Sequence, residues 1–395
     1  MIDPQFYRPQ FDSLQGCCHL ISNSLGAMPN RAREYLREYA EIWQTRGVRA
    51  WNDPWWQMPR EVGDMIGRLM NTPADCVAMH LNVTSAYATI LSCLDLDERR
   101  NKVVVVDMEF PSTIYLCREW LRGRGELQVV KSDDGVTIDV QAVIDAIDDR
   151  TVLVPLSHVL FRSSYIMDAQ AIIAKAHKVG AMVVLDVFQS LGTVPLDIRE
   201  LGAGFAVGGC LKWLCGGPGA CFLYVNPDLQ PSLTPRFTGW MAHEQPFGFD
   251  TSAIRYTTGS YKFMNGTANI PALYSCRAGL EIIAEVGVEA IRERSMSMTA
   301  RLIELADGNG WNVNASRNPS LRAGTVAIDL PNAREIAAEL NARDILVDYR
   351  PKAGIRLSPH FYNTDDEIDH AITSIKHIVN DGSWKKHASI DRVVT

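Results

Sequence analysis

The sequence predicts an α/β fold: a large domain with a mostly parallel sheet flanked by helices, followed by a smaller α+β C-terminal domain. Three observations carry that prediction. The middle of the chain alternates short apolar runs with helical stretches. The runs are continuously apolar rather than alternating, so both faces of their sheet are covered and the helices between them supply the cover. The tail then changes to a short strand–helix–strand–helix pattern.

Taken in order, the first 25 residues lack clear periodicity and read as an extended arm. Residues 31–46 carry Ala32, Tyr35, Leu36, Tyr39, Ile42 and Trp43 at steps of three and four, which suits one helix face. Residues 61–70 read as a second helix, and residues 85–94 as a buried one after a tight turn. Strands follow at 103–107 (VVVVD), 127–130, 151–156 (TVLVPL), 181–186 (AMVVLD), 205–208 and 221–225 (CFLYV). Helices are expected between them at 112–122, 140–147 and 168–177. From about Ile270 a single long helix leaves this region. The tail holds strands at 325–330 and 355–358 and helices at 333–342 and 365–380. The expected partition is an arm over 1–50 that packs with the small domain, a large domain over 51–285 and a small domain over 286–395.

Lys and Arg number 39 against 46 Asp and Glu, a net charge of −7. That argues against nucleic acid as a partner, because phosphate neutralisation needs clustered basic residues. No run of 18 apolar residues occurs, so no membrane span is expected. The opening MIDPQFYRPQ lacks the basic-then-apolar order of a signal peptide, and a cytoplasmic location is expected. The nine cysteines are scattered, with no CxxC pair, and read as free thiols in a reducing compartment. No clustered metal-ligand set is found.

In open parallel sheets ligands bind beyond the carboxyl ends of the strands, so polar residues just after apolar runs are the candidates. Lys212 sits alone in GGCLKWLCGGPG. Desolvation there would favour its neutral amine, the form that adds to carbonyls; the alternative is an edge lysine with its amine in solvent. Asp186 ends AMVVLD and is either a carboxylate for a pyridine nitrogen or an ordinary helix cap. It lies 26 residues before Lys212, one strand–turn–strand unit, which would bring both to one sheet edge. Thr84 and Ser85 open a helix and are either a phosphate site or a simple N-cap.

These residues resemble the pyridoxal-phosphate (PLP) enzymes of fold type I, in the class V aminotransferase superfamily, and most closely kynureninase. The resemblance runs in order over nearly the whole chain. Its motifs are NSLGAMP (23–29), WQTRGVRAWND (43–53), EFPS (109–112), LDVFQSLGTVPLDI (185–198), GGCLKWLCGGPGACFLYV (208–225), GWMAHEQPFGFD (239–250) and IRLSPHFYN (355–363). It implies pyridoxal 5′-phosphate held by Lys212 and paired at its nitrogen with Asp186. Phe110 would stack on the ring, Gln189 would bond the phenolic oxygen, and Thr84 and Ser85 would meet the phosphate. Trp240 and Thr267 would reach the cofactor from the second subunit of a homodimer. Arg356 would clamp the carboxylate of an amino acid substrate, with a surface strand residue as the alternative.

Three positions depart from kynureninase. Thr113 stands where that family has Asp, Leu211 where it has Tyr, and Leu160 where it has Asn. Each removes a polar group near the cofactor and points away from kynurenine itself. The expected activity is a lyase or hydrolase step at Cβ of an α-amino acid. An aminotransferase or decarboxylating deaminase is the alternative, a true kynureninase the third reading and a non-catalytic PLP-binding module the fourth. Cysteine desulfurases of the superfamily need a mobile Cys in the C-terminal third, and no Cys follows Cys276.

Overall fold

A computed structural model describes residues 2–388. The arm carries a short helix α1 (Pro4–Tyr7) and a strand β1 (Cys18–His19). Helices α2 (Asn30–Arg46) and α3 (Met58–Leu69) lead to β2 (Val77–His80) and α4 (Val83–Ser92). Then follow β3 (Lys102–Val106), α5 (Pro111–Leu121), β4 (Glu126–Val130), α6 (Val140–Ala146), β5 (Thr151–Ser157), α7 (Ala169–Lys178) and β6 (Met182–Asp186). A short helix α8 (Ile198–Leu201) precedes β7 (Phe205–Gly209) and β8 (Cys221–Val225). Helices α9 (Ile270–Val286) and α10 (Val288–Gly308) lead into the tail. The tail comprises β9 (Asn312–Val313), β10 (Val326–Asp329), α11 (Ala333–Ala342), β11 (Ile345–Leu346), β12 (Asp348–Arg350), β13 (Gly354–Leu357) and α12 (Asp365–Asp381).

The large sheet has seven strands in the order β2-β8-β7-β6-β5-β3-β4. All neighbours are parallel except those of β8, which runs antiparallel to both β2 and β7. Val103, Val104, Val105 and Val106 are all buried, alternately toward the two apolar cores on either face. That double burial is why the strands read as continuous apolar runs. The tail forms a four-stranded antiparallel sheet, β12-β13-β10-β9, with a separate core that includes Ile336, Leu340, Ile368 and Ile375.

Two expectations change. The long helix expected from Ile270 is two helices, broken at Gly287, whose φ of +83° disfavours other residues there. The first 25 residues are not simply extended: they hold helical turns, and β1 pairs in parallel with β11, Cys18 opposite Ile345. Cys18 and Leu20 of the arm pack into the core of the tail. Among the described residues all nine cysteines are free, no metal-ligand cluster occurs, and no helix is long and apolar enough to cross a membrane.

Candidate active site

The parallel strands β5 and β6 end side by side, with Ser157 the register neighbour of Asp186. Strand β7 ends beside them at Gly209, and the chain turns there to Lys212. A chamber of about 190 Å³ opens at this edge. Phe110, Asp186, Gln189 and Lys212 line it together, and Val83, Val159, Phe161, Phe188 and Leu211 supply apolar wall. Four residues expected from the sequence thus meet in one cavity.

The Lys212 amine has no hydrogen-bond or ion-pair partner among the described residues, while its backbone carbonyl accepts from Cys215 N–H at 3.0 Å. Its Nζ lies 5.0 Å from the centre of the Phe188 ring and 5.9 Å from that of Phe110. Burial pushes its pKa down to about 8, although the Asp186 charge pulls the other way. Asp186 is buried, and burial raises its pKa to about 6. The rise is limited because Phe188 N–H donates to Oδ1 at 2.9 Å and Lys212 contributes positive charge. Near neutral pH the chamber therefore holds a carboxylate and an amine with an accessible neutral form.

Gln189 is anchored at both ends of its amide. Trp213 Nε1 donates to its Oε1 at 2.9 Å, and its Nε2 donates to the Asn23 carbonyl at 3.0 Å. One N–H of that Nε2 is left for a ligand. The 23–29 segment also packs on the lysine loop itself, with Gly26 N–H donating to the Leu211 carbonyl at 2.9 Å. A Cβ on Gly26 would stand 2.2 Å from the Lys212 carbonyl oxygen. Gly26→Ala is expected to lose about 1–3 kcal/mol of stability and to displace the lysine loop. Thermal unfolding and cofactor retention on a desalting column check this; an unchanged melting temperature contradicts it.

Thr84 and Ser85 sit at the N-terminus of α4, but Asn82 is the cap. Its Oδ1 accepts from Ser85 N–H at 2.9 Å, and Ser85 Oγ donates to the Asn82 carbonyl at 2.7 Å. Ser85 shares a second pocket of about 180 Å³ with Thr267 of the same chain, while Thr84 is exposed. Trp240 is in neither cavity. It packs against Trp56, Phe247 and Phe249 in a partly exposed aromatic cluster.

Arg356 lies outside the chamber and is 2% exposed. Its Nε and Nη2 donate to the two oxygens of Asp348 at 2.7 and 2.5 Å. Its Nη1 donates to the carbonyl of the wall residue Phe161 at 2.5 Å, and Nη2 also donates to Ser24 Oγ at 3.2 Å. The guanidinium expected to clamp a substrate carboxylate already holds a protein carboxylate, that of Asp348. Sequence reasoning missed Asp348. The signal was the hairpin DYRPKAGIR, in which Asp348 and Arg356 are register partners. It also missed Phe188, two residues after Asp186 in the turn that follows β6, whose ring lines the chamber beside the Lys212 amine.

The family model that matches the chain is aminotransferase class-V, over residues 29–370. Kynureninase from Bacillus anthracis is 28% identical, with 98% of this chain and 94% of that protein covered. The "uncharacterized aminotransferase YcbU" of Bacillus subtilis (strain 168) is 29% identical, over 94% of this chain and 97% of that protein. The apo cysteine desulfurase of Thermococcus onnurineus NA1 superposes with a TM-score of 0.86 at 20% identity, covering 96% of this chain and 99% of that one. The cystine C–S lyase C-DES does so with a TM-score of 0.83 at 20% identity, covering 93% and 99%. These two structures share the fold, which is type I of the PLP-dependent enzymes. The α/β architecture, the strand edge with its lysine and carboxylate, and the family match along 29–370 agree: the chain belongs to the aminotransferase class-V family.

Proposed function

We propose that the protein is a PLP-dependent enzyme that cleaves a bond at Cβ of an α-amino acid, in the kynureninase-like branch of its family. The observation that carries this is the amine of Lys212 and the carboxylate of Asp186 lining one buried chamber. The residues present fit the cofactor. The amine has no protein partner and a lowered pKa, the carboxylate is held anionic near neutral pH, and the Phe110 and Phe188 rings lie near the amine. The N-terminus of α4 faces the neighbouring pocket through Ser85, where Thr84 and Ser85 would hold a phosphate.

When bound, PLP supplies an electron sink for negative charge developing at Cα of the amino acid. The protein's part is positioning and proton transfer. Lys212 would bind the cofactor aldehyde and then carry a proton at Cα, a task suited to a pKa of about 8. Asp186 would keep a proton on the ring nitrogen, Phe110 would cover one ring face, and Gln189 would offer its remaining N–H to the phenolic oxygen. The apolar wall of Val159, Phe161 and Leu211 excludes water and leaves no hydroxyl where kynureninase has its Tyr. Arg356 would receive the substrate carboxylate on its Nη1 edge in exchange for the Phe161 carbonyl, keeping Asp348 behind it.

A homodimer completes the reading, with Trp240 and Thr267 meeting the partner's cofactor. Support comes from two groups of exposed apolar residues, Phe237 with Leu81 on the rim of the Thr267 pocket and Phe247 with Phe249 beside Trp240, since exposed apolar surface marks interfaces. The arm, large-domain and small-domain partition at residues 50 and 285 is proposed with it, as is a cytoplasmic location. A second reading, transamination, is favoured by the YcbU relative.

Incubation with a panel of amino acids separates the two. Cβ cleavage releases pyruvate or alanine without an added keto acid; strict dependence on a keto acid contradicts the proposal. The titration of Asp186 is also expected to depend on the cofactor. In the empty chamber burial raises its pKa to about 6, and a pyridinium beside it would pull that value down, because an opposite charge favours the carboxylate. Infrared spectroscopy of the carboxyl group across pH, with and without PLP, reads the change; an Asp186 that protonates at the same pH in both contradicts the role given to it.

A further inference from the structure

The strand ends around Lys212 hold a second buried acid. Glu109 follows β3 and is 2% exposed. Its Oε1 accepts from Ser157 N–H at 2.7 Å, and its Oε2 pairs with Ser157 Oγ at 2.5 Å. Ser157 is the last residue of β5, lines the chamber and is the register neighbour of Asp186. Two carboxyl groups sharing one low-dielectric edge do not ionise independently.

We propose that Glu109 is a positioning residue of this site: it fixes Ser157 beside Asp186, and its charge state tunes how firmly the site holds a proton on a bound cofactor. The inference rests on the PLP reading above and adds a second acid to it.

The groups facing Glu109 are Ser157 from β5, Asp186 from β6, Tyr87 from α4 and Cys117 from α5. Burial holds the Cys117 thiol up at about 12 and the Tyr87 phenol well above its usual range, so both stay neutral near physiological pH. Burial pushes Glu109 up to about 8; the two Ser157 contacts oppose the rise and the Asp186 charge adds to it. Asp186 rises only to about 6. Between these values Asp186 is the anion and Glu109 the neutral acid. Above them both are anions, and the second negative charge stabilises any cation in the chamber.

The test is a pH titration of the visible absorbance of the bound cofactor, without substrate, in wild type, Glu109→Gln and Glu109→Asp. Gln keeps the shape and the Ser157 contacts but cannot ionise. The alkaline midpoint is expected to fall by about half a unit or more in Glu109→Gln and to stay near wild type in Glu109→Asp. Identical midpoints in wild type and Glu109→Gln overturn the proposal, as does the same shift in both variants, which marks a purely structural contact. Infrared spectroscopy reads the same proton in wild type without relying on any variant. A neutral-acid carbonyl band is expected near neutral pH and lost in alkali, and its absence near neutral pH overturns the proposal. Wild type that gains no cofactor absorbance on reconstitution removes the PLP reading itself, so the two failures are distinguishable.

Discussion

Lys212→Ala is expected to lose at least about 10³-fold in turnover while the protein stays folded, because it removes both the carbonyl-reactive amine and the proton carrier. The stability change has a sign that distinguishes this lysine from an ordinary surface one. Its folded pKa of about 8 lies below the value for the unfolded chain. The unfolded state therefore binds more protons between those two values, and the buried ammonium destabilises the fold fully below about pH 8. Cofactor-free Lys212→Ala is expected to be more stable than cofactor-free wild type by up to about 3 kcal/mol near neutral pH. The difference should vanish as pH rises past the unfolded pKa. Denaturant unfolding of both proteins across pH reads it. A variant less stable than wild type contradicts the desolvated placement of the amine, and a variant with full turnover contradicts its role.

Arg356→Ala is expected to have two separable effects. The amino acid should bind more weakly by about 2–4 kcal/mol, seen in KM, because a desolvated charge partner is gone. The fold should also lose about 2–4 kcal/mol, since Asp348 is fully buried and keeps Arg350, at 3.3 Å, as its charge partner and the Ser24 hydroxyl as a donor. In the wild type burial pushes the Asp348 carboxyl up, but the bonds from Arg356 hold it below the usual carboxylate range. Without Arg356 burial prevails, the folded pKa rises, and the variant should recover stability as pH falls and Asp348 protonates. Adding Asp348→Asn to Arg356→Ala is expected to restore stability and leave KM high. If the double variant restores substrate binding as well, the carboxylate is received elsewhere.

Much of this was legible from residue order because burial on both faces leaves a strand no polar position. The runs at 103–107, 151–156 and 181–186 stand out for that reason, and the polar residue that ends a run, Asp186, is conspicuous. Lys212 stands out because its neighbours are small or apolar. The break at Gly287 was obscured because helical periodicity continues across it into α10. Strands β9, β11 and β12 span two or three residues, too few for any period to register. Asp348 went unseen for a different reason: its meaning depends on lying opposite Arg356 across a hairpin, a fact of register rather than of composition. Glu109 likewise reads as part of the segment that carries Phe110, until the parallel pairing of β5 with β6 sets its partner Ser157 next to Asp186.

The most direct measurement is to reconstitute the protein with PLP, reduce it with borohydride, digest it and map the modified lysine by mass spectrometry. The account predicts one phosphopyridoxyl group per chain, on the peptide that contains Lys212. A label on any other lysine, or none after reduction of a protein that has bound the cofactor, would contradict it.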